Sequence, residues 1–117
     1  MFAEERKITH ARLAERLGLC GSVSIIANGR HVGEGRTLDV SKQGCLVESP
    51  ALVKAGDHIQ LRLFLPETRP FVSVSLAVIR WTHGLRFGVE FMELEESNQD
   101  RLHHVLVLRA DFWKLAY

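Results

Sequence analysis

Apolar residues recur at every second position through most of this chain, from about residue 19 to residue 91. Period two is the signature of half-buried strands. Cys20–Ala27 reads as a first strand, and Asn28-Gly29 is the dipeptide favoured at the tip of a tight hairpin. The return strand is expected from about His31 to Val40, with Gly33 and Gly35 marking a bulge or a close backbone approach. Cys45–Ser49 is a short strand closed by Pro50, and Val53–Asp57 is a turn. In His58–Leu65, Ile59, Leu61, Leu63 and Leu65 share one face while His58, Gln60 and Arg62 share the other. After a loop from Pro66 to Pro70, Val72, Val74, Leu76 and Val78 alternate with smaller residues, and the phase shifts at Ile79 and Trp81. That shift predicts a bulge or twist late in the strand. His83-Gly84 turns the chain into Leu85–Phe91, whose odd positions are all large and apolar. Six short strands joined by tight turns predict a mainly β domain, a small barrel or sandwich.

The two ends break this period. Ser97 with Asp100 three residues later suits a helix start, and Leu102, Val105, Leu106, Phe112 and Trp113 recur at helical spacing. The helix is expected to pack on the β domain, with its aromatic end covering the barrel or meeting a partner. Residues 1–18 are densely charged, with only a sparse stripe of Ile8, Leu13 and Leu17. They read as a flexible N-terminal arm leading into a domain at 19–117.

Composition narrows the function classes. A chain of 117 residues with 46% hydrophobic and 25% charged residues suits one ordinary domain. A net charge of +1 gives no global field for duplex DNA or anionic membrane, so any anion site must be local. Two cysteines, Cys20 and Cys45, are fewer than a secreted disulfide scaffold uses, and reduced buried thiols are expected. No apolar leader and no stretch near ~20 apolar residues is present, so the expectation is a cytoplasmic protein without membrane insertion. His10, His31, His58, His83 and His103-His104 have no metal-ligand spacing with the cysteines. No nucleophile elbow, P-loop or carboxylate pairing suggests catalysis, so neither an enzyme nor a cofactor is expected.

Two segments carry candidate chemistry. Arg12 and Arg16 stand four residues apart, and Asp39-Val40-Ser41-Lys42-Gln43-Gly44 combines a carboxylate, a hydroxyl and a glycine in one turn. Paired guanidiniums grip phosphate and stack on bases. The turn can add backbone N–H groups, and its carboxylate can accept from guanine N1–H and N2–H. Such a set suits a guanine-bearing phosphodiester. The plainer alternatives are a solvated helical face pairing Arg12 and Arg16 with Glu5 or Glu15, and a simple inter-strand turn at 39–44.

Arg12-Leu13-Ala14-Glu15-Arg16 followed by Asp39-Val40-Ser41-Lys42-Gln43-Gly44 resembles the Arg-x-x-x-Arg and [Asp/Asn]-x-Ser-x-x-Gly motifs of the PilZ domain, a bacterial receptor module for cyclic di-GMP. The resemblance continues through Ile79-Arg80-Trp81, the Leu85–Phe91 strand and the C-terminal helix. It implies a six-stranded antiparallel PilZ-type barrel with a C-terminal helix. It also implies a non-catalytic receptor that takes cyclic di-GMP through Arg12, Arg16, Asp39, Ser41 and Gly44 and signals to a protein partner in trans. Motility, adhesion and exopolysaccharide synthesis are the outputs it suggests. Ala11 departs from the basic residues that often precede the first motif, which bears on how many nucleotides bind. Two other readings differ in class. One is a nucleotide-independent interaction module of the kind used in pilus biogenesis. The other is a barrel for single-stranded nucleic acid, which near-neutral charge disfavours.

Overall fold

Asn28 and Gly29 both adopt positive φ, 53° and 75°, which is the backbone a two-residue hairpin between right-twisted strands requires. This turn joins β1 (Ser22–Ala27) to β2 (Arg30–Val40), and four further strands follow: β3 (Gly44–Glu48), β4 (His58–Phe64), β5 (Val72–His83) and β6 (Arg86–Glu93). The chain then enters helix α1 (Glu96–Ala116). The computed structural model describes residues 21–66, 68 and 70–116, the stretch 109–116 as backbone only. The expected arm with Arg12 and Arg16, Cys20, and the side chains of Phe112 and Trp113 lie outside the described residues.

The strands close into an antiparallel barrel in the order β1-β2-β3-β6-β5-β4, with β1 pairing β4 to remove the free edge. The expected six-stranded barrel with a C-terminal helix is therefore the observed architecture. Strand β4 keeps strict alternation, with Ile59, Leu61 and Leu63 inside and His58, Gln60, Arg62 and Phe64 outside. Val23, Ile25, Val40, Val47 and Ile79 complete the centre of the core, and Leu102, Val105 and Leu106 of α1 join it. Gly35 is one expected close approach, since a Cβ there would stand 2.6 Å from the Cβ of Ser49. Ser49 in turn donates to the Glu34 carbonyl at 2.6 Å, fastening the segment after β3 onto β2.

Three expectations change. In β5 the phase shifts earlier than Ile79: between Val74 and Ala77 the strand carries one residue more than β4 opposite it, so Ala77 and Ile79 join the core cluster, while Leu76 is half-buried and Val78, though buried, lies outside that cluster. Leu85 is not a core position, because the β5–β6 turn occupies residues 84–85 and leaves Leu85 exposed. The helix starts at Glu96, and the N–H groups of Asn98 and Gln99 both reach the Glu95 carbonyl at 2.9 Å, so Ser97 lies within the first turn and does not cap it. Asn98 has a different task. Its Oδ1 accepts from the Ser73 N–H at 2.8 Å and from Arg101 at 3.3 Å, tying helix to β5.

Candidate functional site

The β2–β3 connection starts from a bulge. Thr37 faces Val47 and Asp39 faces Leu46, so Leu38 is the extra residue between them. Thr37 is consequently buried inside the barrel while Asp39 turns to the outer face. Residues 41–44 form a tight turn in which the Ser41 N–H donates to the Gly44 carbonyl at 2.8 Å. The Ser41 hydroxyl accepts from the N–H groups of Gln43 and Gly44, each at 3.2 Å, and donates to the Gly44 carbonyl at 3.3 Å. The local turn role expected as the plainer alternative is thus realised for Ser41. The Phe91 N–H donates to the Gln43 carbonyl at 2.7 Å, which pins the turn to β6. Gly44 lies so close to β6 that a Cβ would stand 2.1 Å from the Val89 carbonyl oxygen. Its need for glycine is close approach of two strands, since its φ is not in the left-handed region.

A second bulge lies across the sheet. Ile79 faces Val89 and Trp81 faces Gly88, so Arg80 is the spare residue in β5 and both Arg80 and Trp81 point outward. The Trp81 indole lies over Gly88, where a Cβ would meet Nε1 at 2.2 Å and Cε2 at 2.6 Å. Pairing then sets out one row across four strands: Asp39, Leu46, Gly88 and Trp81. The neighbouring row on the same face places Gly44 opposite Glu90. Between these rows is an open cleft of about 320 Å³, with Asp39, Ser41 and Gly44 on one side and Arg80, Trp81 and Glu90 on the other. Arg80 Nε donates to Glu90 Oε1 at 2.6 Å, and Nη2 approaches the same oxygen. Under the cleft floor, Cys45 is buried. Burial first, and the charge of Asp39 second, push its thiol far above the ordinary value.

On the far side of the turn a groove of about 410 Å³ separates it from α1, bordered by Lys42, Gln43, Met92, Asp100 and His103 among others. Gln43 borders both hollows.

Of the residues singled out in the sequence, Asp39, Ser41 and Gly44 come together on one wall of the cleft. Arg12 and Arg16 lie outside the described residues. Among the lining residues that went unassigned are Arg80, Trp81, Gly88 and Glu90, on β5 and β6. The signal available was the phase shift at Ile79 and Trp81, together with a turn at 84–85 that brings Gly88 opposite Trp81. Among the described residues no group of histidine, cysteine or carboxylate side chains is placed to hold a metal, and no helix is long and apolar enough to cross a membrane.

The PilZ domain family matches residues 10–107, a span containing both arginines, the turn and all six strands. The chain belongs to the PilZ domain family. PilZ domains are generally non-catalytic binding modules of the cyclic di-GMP receptor type. The fold agrees with two solved structures. An inhibitor of motility from Bacillus subtilis (MotI/DgrA) superposes with a TM-score of 0.67 at 18% identity, over 81% of this chain and 49% of the inhibitor. This PilZ chain thus spans about half the length of that protein. The PilZ domain of CeSA from a cellulose-synthesizing bacterium gives a TM-score of 0.60 at 17% identity, over 78% of this chain and 93% of that domain. At such identities the likeness is one of fold. No curated protein matches the sequence.

Proposed function

We propose that this PilZ domain is a receptor for cyclic di-GMP that holds the nucleotide in the cleft between the 41–44 turn and Trp81. The observation carrying this reading is the shared outer-face row of Asp39, Leu46, Gly88 and Trp81, which sets a carboxylate and a flat aromatic at opposite ends of one small hollow. A guanine stacked on the indole gains the ~1–3 kcal/mol typical of base–aromatic contact. Its N1–H and N2–H donors then face Asp39, the acceptor. A volume of about 320 Å³ lies at the lower end of ligand pockets and suits one base with part of its ribose. The two phosphodiesters lie outside it, where Arg12 and Arg16 close over them with paired N–H donors. Ser41 and Gly44 shape the wall: the hydroxyl fixes the turn, and the missing side chain lets β3 meet β6.

The turn also borders the groove beneath α1 through Lys42 and Gln43. A nucleotide pressing on the turn therefore has a short route to the helix, and the altered helix surface is what a protein partner would read.

Isothermal titration tests the proposal. The intact protein should bind cyclic di-GMP, and Arg12→Ala and Asp39→Ala should each weaken binding by about 10- to 150-fold, as loss of a charged hydrogen bond of ~1.5–3 kcal/mol implies. No binding by the intact chain, or unchanged affinity in both variants, refutes it.

A further inference from the structure

Arg80 is the one cation among the described residues lining the cleft, and the ligand motifs do not include it. It is the bulged residue of β5, released from the ladder and aimed outward next to Trp81. Its guanidinium does not hang free, because Nε and Nη2 both converge on Oε1 of Glu90. Glu90 itself lies opposite Gly44 in the β3–β6 register, at the end of the Asp39–Gly44 turn. The bulge, the carboxylate and the register together bring a fixed, planar set of donors to the wall of the cleft. A guanidinium has five N–H donors, and the two directed at Glu90 leave three, including both of Nη1.

The paired carboxylate decides what those donors can recognise. It cancels most of the attraction Arg80 would exert on a phosphate, yet leaves its hydrogen-bonding geometry intact and more rigid. That combination favours an uncharged edge with two adjacent acceptors. Guanine O6 and N7 form such an edge, the one arginine most often reads, whereas adenine presents an N6 donor in place of O6. We infer that Arg80, positioned by Glu90, reads the O6/N7 edge of a guanine stacked on Trp81 and makes the site select guanine over adenine. The inference rests on the cyclic di-GMP reading above and adds a residue that determines base specificity.

The test is titration of cyclic di-GMP and cyclic di-AMP into the intact protein, Arg80→Met and Glu90→Gln. Both altered side chains are about half exposed, so thermal midpoints should stay close to wild type. Arg80→Met should lose about 5- to 150-fold in cyclic di-GMP affinity, the range for one bidentate base contact, with no loss toward cyclic di-AMP. Glu90→Gln should lose a smaller factor in the same direction, because the guanidinium is less firmly held. A phosphate-binding Arg80 predicts the opposite sign, since removing the Glu90 charge would then strengthen binding of both nucleotides. Equal affinity of Arg80→Met and wild type for cyclic di-GMP, a parallel loss for both nucleotides, or tighter binding by Glu90→Gln overturns the inference while the receptor reading stands. Failure of the wild type to bind cyclic di-GMP overturns both.

Discussion

Substituting Gly88 by alanine separates the proposed ligand platform, Trp81, from the barrel that carries it. The added Cβ would stand 2.2 Å from Trp81 Nε1, 2.6 Å from Cε2 and 2.9 Å from Cδ1. Ordinary contact is about 3.5–4.0 Å, so the indole must withdraw by more than an ångström. Trp81 is 46% exposed and borders an open cleft, so its ring has somewhere to go. Displacing it off its rotamer costs roughly 0.5–1.5 kcal/mol, and the loss of glycine's freedom in the unfolded chain returns roughly 0.4–1 kcal/mol. Net stability should therefore move by no more than about 1 kcal/mol, which is several degrees in Tm for a domain of this size. Nucleotide binding should fall far more, by the ~1–3 kcal/mol of a base–aromatic stack, or about 5- to 150-fold in Kd. The assay pairs isothermal titration of cyclic di-GMP with thermal unfolding followed by circular dichroism. Tryptophan emission in a Trp113→Phe background reports the ring's move, since the chain has two tryptophans. Unchanged affinity with a shifted indole would refute the stacking role of Trp81. A collapse in stability would refute the view that the ring is free to retreat.

Three further outcomes follow from contacts described above. Gly44→Ala should behave oppositely to Gly88→Ala, lowering stability by about 1–3 kcal/mol or more in denaturant titrations, because its Cβ meets the Val89 backbone oxygen at 2.1 Å and a strand cannot swing aside. Asn98→Ala leaves the Ser73 N–H without its acceptor and should cost about 1–3 kcal/mol, with faster amide exchange at Ser73 as the local readout. In a Cys20→Ser background, Cys45 should resist alkylation at pH 8 unless the protein is unfolded, because the buried thiol is held protonated. Its folded pKa is raised, so its effect on stability is constant below the ordinary thiol value of about 9. Above that value stability should decline by about 1.4 kcal/mol per pH unit as the unfolded chain ionises, and Cys45→Ala should lack this component.

The parts of the fold that depend on neighbours in sequence were legible. Asn28-Gly29 dictated a hairpin, and the alternation in His58–Phe64 named its own buried face. The Asp39–Gly44 turn was legible too, because its acidic, hydroxyl and glycine positions act within six residues. Register across strands was not. Whether Leu76 or Ala77 enters the core is decided by a bulge against β4, and the apolar pattern of β5 alone accommodates either. The partnership of Trp81 with Gly88, and of Arg80 with Glu90, likewise exists only once β5 and β6 are aligned. Ser97 suited a cap on composition, yet the Asn98 and Gln99 N–H groups turn to the Glu95 carbonyl and the helix starts at Glu96, two residues before a Ser97 cap would begin it.

The two bulges at Leu38 and Arg80 have a consequence for how such a domain diversifies. A bulged residue has no opposite number in the ladder, so altering it disturbs neither the pairing nor the inward set of Val40, Cys45, Val89 and Ile79 beneath. The outward chemistry at Arg80 is thereby uncoupled from the instructions that close the barrel. If Arg80 reads a base as proposed, a library randomised at Arg80 over a fixed interior would explore new base preferences without having to rediscover the fold.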